Sequence, residues 1–117
     1  MITTMPLSFP KPPMTHNRMP RNRGHKSRLV REIQDEVRLR ARGWPPIEVP
    51  VEIRLVWTVP DRRVRDQDGP EPTKKACVDA LVKAGVLAHG DSYEWVKSYC
   101  VIEPGDKFAM RLEVEEI

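Results

Sequence analysis

Six consecutive odd positions from Val49 to Val59 are apolar: Val49, Val51, Ile53, Leu55, Trp57 and Val59, with Glu52, Arg54 and Thr58 between them. A period of two is that of a half-buried strand. Between Ser27 and Gly43 the period becomes four: Leu29, Ile33, Val37 and Ala41 recur, Arg28, Arg31, Arg38 and Arg42 occupy the other face, and Pro45 and Pro46 follow. That pattern predicts an amphipathic helix with a stop. A second helix is expected from Thr73 to Ala84, with Cys77, Ala80, Leu81 and Ala84 on one face and Gly85 as its C-terminal cap. Met5, Leu7 and Phe9 alternate ahead of Pro10, Lys11, Pro12 and Pro13, which reads as a short edge strand entering a polyproline-like turn. Trp95 to Ile102 is a candidate strand. Phe108, Met110, Leu112 and Val114 mark another after a Pro104-Gly105-Asp106 turn, so the ending reads as a β-hairpin. The order β-α-β-α-β-β, without internal repeats, predicts an α+β fold.

Composition adds limits. A chain of 117 residues fits one domain, and 39% hydrophobic with 32% charged residues belongs to a globular protein. The net charge of +3 is uneven: residues 1 to 47 hold ten Lys/Arg against three Asp/Glu, and the remainder holds ten against fourteen. A basic front on an acidic-leaning body favours a polyanionic partner, because each neutralised phosphate releases counterions. The basic stretch 14–28 is expected to be a loop facing nucleic acid, with Asn17, Arg18, Arg21, Arg23, Lys26 and Arg28 as candidate contacts. Cys77 and Cys100 lie outside any metal-ligand spacing, and neither a signal sequence nor a membrane span is visible, so a reduced cytoplasmic protein is expected. His16, His25 and His89 are scattered, and Trp44, Trp57 and Trp95 read as core or interface residues.

The charged segment after Pro60 carries the chemistry. Asp66 and Asp68 stand two apart, so an extended backbone would point both carboxylates the same way. Magnesium favours hard oxygen ligands, usually one or two carboxylates completed by water and phosphate. Taken alone, the pair is an ordinary solvated turn. Arg62, Arg63 and Arg65 beside it either neutralise the carboxylates or collect a phosphodiester next to a metal.

Pro60-Asp61-Arg62-Arg63-Val64-Arg65-Asp66-Gln67-Asp68, then Lys75-Ala76-Cys77-Val78-Asp79-Ala80-Leu81, then Asp91, resembles the signature of RusA-type Holliday-junction endodeoxyribonucleases. Pro10-Lys11-Pro12-Pro13 followed by Asn17-Arg18 is similar to that family's opening segment, so the resemblance covers nearly the whole chain. One departure is the stretch Gly69 to Lys74, which reads as a small loop insertion between Asp68 and Lys75; Lys74 or Glu71 could then replace Lys75.

The resemblance implies a single RusA-like domain over 1–117 with a mixed β-sheet and two main helices. It implies a Mg²⁺-dependent enzyme, with Mn²⁺ as a substitute, that cuts four-way DNA junctions as a homodimer in recombination and repair. Compact members of the family occur in bacteriophages. Asp66, Asp68 and Asp91 would ligate the metal, and Lys75 would stabilise the developing charge. Asp79 would serve the helix surface. The alternative is a catalytically inactive branched-DNA binder of the same fold.

Overall fold

A computed structural model describes residues 2–117. Six elements follow the predicted order: β1 (Ile2–Leu7), α1 (Arg23–Arg40), β2 (Val51–Val59), α2 (Glu71–Lys83), β3 (Val96–Pro104) and β4 (Ala109–Glu116). The strands form one mixed sheet in the order β1-β4-β2-β3. β2 and β3 run parallel, and α2 makes the crossover that such a pair needs. The fold is α+β, as the periodicities predict.

The ending is not a hairpin. β4 pairs antiparallel with β2 and with β1, so β2 separates it from β3. The Pro-Gly-Asp turn carries the chain across the end of β2 instead: Gly105 N–H reaches Val59 O at 3.0 Å. A β-carbon on Gly105 would lie 2.1 Å from Thr58 Cγ2, so glycine is required there by a close crossing.

One face of the sheet is the core floor. Met5, Leu112, Leu55 and Cys100 align across it in register, and Ile33, Val37 and Ala41 of the first helical segment and Cys77, Ala80 and Leu81 of α2 join the same cluster. Strand β2 begins at Val51 rather than Val49: Pro50 has no N–H for the ladder, and Val49 is exposed.

The other face carries ions. Arg54 Nε donates to Glu113 at 2.9 Å, and its Nη1 donates to Glu52 at 3.0 Å and Glu115 at 2.9 Å. Arg111 bridges Glu113 and Glu103, Thr58 Oγ1 donates to Glu103, and the Tyr99 hydroxyl donates to Glu52.

Both helices start earlier than their apolar periodicity indicates. Asn22 caps α1, its Oδ1 accepting from Gly24 N at 2.8 Å and His25 N at 3.1 Å. Residues 23–28 of the expected basic loop are therefore helical. α2 begins at Glu71, so most of the expected loop insertion is its first turn; proline is tolerated there because those N–H groups have no partner within the helix. Gly85 takes φ +79 just past the end of α2, as the C-terminal cap requires. No helix among the described residues is long and apolar enough to cross a membrane.

Candidate active site

Beyond Pro60 the chain passes Arg65 and folds into two overlapping turns. Gly69 N–H donates to Asp66 O and Glu71 N–H to Asp68 O, each at 3.0 Å. The Asp66-Gln67-Asp68 segment is thus not the extended stretch its spacing suggested. Gln67 reaches back to β3, with Nε2 3.2 Å from Cys100 O, while Asp66 and Asp68 are exposed.

A cleft of about 160 Å³ opens between α2 and β3, lined by Glu71, Lys74, Lys75, Asp79, Asp91 and Ser98 together with Val78 and Val96. Adjacent helical residues differ by about 100° in direction, so the two lysines sit differently. Lys74 is only 6% exposed; its Nζ lies 2.7 Å from Glu71 Oε1 and 2.8 Å from Ser98 Oγ. Lys75 is exposed and lines the cleft mouth. Of the four expected catalytic residues the cleft brings together Lys75 and Asp91, and it also holds Glu71 and Lys74, the alternatives to Lys75, and Asp79. Asp66 and Asp68 are not among its lining residues; the turn that holds them joins the Glu71 end of α2, and Asp79 lies about 12 Å further along the helix at 1.5 Å per residue.

The basic segment docks on the acidic turn. Thr73, fully buried, donates from Oγ1 to Met14 O at 2.7 Å and accepts from Met14 N at 3.1 Å. His16 N–H then reaches Gly69 O at 3.0 Å, and a tight turn closes from Thr15 to Arg18. The backbone of the Thr15–Arg18 turn is thereby tied to Gly69, in the turn that follows Asp66 and Asp68. Neither Met14 nor Thr73 had been singled out from the sequence; a methionine inside a polar stretch was the only signal.

The arginines near the turn divide. Arg65 is committed: it pairs with Asp61 at 2.5 Å and lies 4.9 Å over the Trp57 ring, and this pairing holds the Asp61 carboxyl below its ordinary range. Arg62 and Arg63 are exposed, and no ion pair engages them among the described residues. Arg18, Arg21, Arg23, Lys26 and Arg28 are likewise exposed.

The donor chemistry fits a hard divalent cation in kind, since every candidate ligand is a carboxylate. The arrangement is looser than the resemblance implies. Among the described residues no group of three or more His, Cys, Asp or Glu is placed to hold a metal ion. Thiol chemistry is disfavoured. Burial pushes the Cys77 thiol up to about 12, and burial with the nearby Glu71 carboxylate pushes Cys100 up to about 11, so neither forms a thiolate near neutrality.

No family model matches the chain, and no curated protein matches it.

Proposed function

We propose that the chain is a Mg²⁺-dependent, structure-selective endodeoxyribonuclease acting on four-way DNA junctions. The observation that carries this reading is the convergence at one end of α2. The acidic turn, two lysines and the docked start of the basic segment meet there, linked by the His16–Gly69 and Thr73–Met14 hydrogen bonds. Carboxylates alone would repel a phosphodiester. Arg18, Arg62 and Arg63 supply local cations that would hold one, and the Asn17 amide a neutral hydrogen-bond donor.

In this reading Asp66 and Asp68 would offer oxygen ligands to one divalent cation, and Asp91, in the cleft lining, would be the third candidate ligand. The bound ion would polarise the scissile phosphate and acidify a water. Lys75, free at the cleft mouth, stabilises negative charge on the phosphoryl oxygens. Lys74 fixes Glu71 and Ser98 and so shapes the wall behind it. The homodimer implied by the resemblance would present two such sites to the two strands of a junction.

Replacing Asp68 by Asn tests the reading with a synthetic four-way junction and Mg²⁺. Cleavage should fall by at least about 10²-fold, the scale of losing one key stabilising group, while junction binding in EDTA persists. Unchanged cleavage would remove Asp68 from the mechanism. The second reading, an inactive junction binder, draws on the separation of Asp91, which lines the cleft, from Asp66 and Asp68, which are not among its lining residues. Wild-type protein that binds the junction and never nicks it establishes that alternative.

A further inference from the structure

The first turns of α1 project from the body. Arg21 to Arg28 are all exposed, and Leu29 is the first residue of the helix with partial cover. Arg23, His25 and Lys26 stand in the opening turn, which holds no acidic residue, although the positive end of the helix dipole disfavours cations. Further along, Arg28, Arg31 and Arg38 fall within about 80° of one another at 100° per residue, opposite the buried Ile33 and Val37. The row from Arg28 to Arg38 spans roughly 15 Å at 1.5 Å per residue.

These cations differ from the guanidinium groups that lie on or against the sheet. Arg54, Arg65 and Arg111 are each engaged by carboxylates, whereas on α1, among the described residues, only Arg40 forms an ion pair, with Glu36. Glu32 and Asp35 are the carboxylates on the exposed flank, and neither reaches an arginine in an ion pair among the described residues. Unpaired like charges along one rigid flank repel each other, and a polyanion relieves that repulsion.

We propose that the outer flank of α1 is a rail for duplex DNA, engaging an arm other than the strand at the cleft. α1 packs on α2, where Lys83 Nζ meets Gln34 at 3.1 Å, whereas the cleft lies between α2 and β3. The rail and the cleft therefore flank α2 on different sides. A branched substrate can occupy both, with one arm along Arg28, Arg31 and Arg38 and a strand at the acidic turn. This extends the nuclease reading to residues the site does not use, and it rests on that reading only for the choice of a branched ligand.

The test is junction affinity against salt, measured in EDTA so that cleavage plays no part. The proteins are wild type, R31Q/R38Q, D35N and, as a control on the helix-free sheet face, K97Q. The double variant should lower the slope of log K against log salt by roughly 1.8, about 0.9 for each lost phosphate contact. D35N should tighten binding, and K97Q should leave both affinity and slope in place. An unchanged slope for R31Q/R38Q, an equal loss for K97Q, or a wild type that does not bind DNA overturns the rail. So does a double variant that loses phosphatidylserine vesicles while keeping DNA. A protein that never nicks DNA but loses slope in R31Q/R38Q keeps the rail and discards the nuclease.

Discussion

The helix-free face of the sheet and the flank of α1 are both rich in arginine, and they use it in opposite ways. Arg54 sits among Glu52, Glu113 and Glu115 with its side chain largely covered, and Arg111 ties Glu113 to Glu103. There charge is neutralised within the sheet, cross-strand pair by cross-strand pair. On α1, Arg23, Lys26, Arg28, Arg31 and Arg38 face solvent without ion pairs among the described residues. The same residue type is structural where carboxylates face it across a ladder and available where they do not. Lys74 and Lys75 repeat this contrast within a single helical turn.

Those two lysines give the sharpest way to break the comparison. Lys75→Met removes an exposed cation, so stability should change by no more than about 0.5 kcal/mol, while junction cleavage falls by on the order of 10²-fold. Lys74→Met takes a buried ammonium from Glu71 and Ser98. Glu71 is 38% exposed and can rehydrate, so the expected loss is about 1–2 kcal/mol of stability, with a smaller effect on cleavage. Thermal melts and single-turnover cleavage on both variants decide it. A folded Lys74→Met protein with the larger cleavage defect would exchange the two roles.

Next in size is the joint between the basic segment and the acidic turn. Thr73→Val keeps the shape of the side chain and removes both hydrogen bonds to Met14, which is 1% exposed. Leaving that N–H and C=O unsatisfied costs about 1–3 kcal/mol. Amide exchange at Met14 and His16 should accelerate together, because His16 N–H on Gly69 depends on the same docking. Fast exchange at Met14 alone would show that the segment is held by other contacts.

The contrast also explains how far the sequence could be read. Periodicity finds strands and helices because it records burial, and Leu55, Leu112, Ile33 and Leu81 report it directly. It is silent where structure is set by polar groups. The cap at Asn22 extends α1 through a stretch with no apolar pattern, and Pro70 and Pro72 look like a loop although helix starts accept proline. Strand order depends on a crossing: Pro104-Gly105-Asp106 has the composition of a hairpin turn, and only the approach of Gly105 to Thr58 reveals that the chain passes over β2. At the site, Lys75 and Asp91 were readable and do share a cleft. The burial of Lys74 was not, since two adjacent lysines are equivalent until a helix phase is fixed.

The smallest expected effect separates the two regions by pH. Burial acts to raise the Glu113 carboxyl, but hydrogen bonds from Arg54 and Arg111 outweigh it and hold the group below its ordinary 4.5. A depressed carboxyl stabilises the fold above its unfolded value, and that contribution is lost as pH falls through the lower folded value. In Glu113→Gln the pairing charge is absent at every pH. The wild type should therefore exceed the variant in stability by about 1 kcal/mol or less near neutrality, as for a partly exposed pair. The gap should close as pH falls below 4.5, where the wild-type carboxylate takes up its proton. Arg31 and Arg38 form no ion pair among the described residues, so the difference of R31Q/R38Q from wild type should stay flat over the same range. Melting temperatures of the three proteins from pH 7 to pH 3 compare the regions directly. A constant gap for Glu113→Gln would mean that Arg54 and Arg111 gain nothing from this carboxylate, and the distinction between a neutralised sheet face and an unneutralised helix flank would lose its energetic basis.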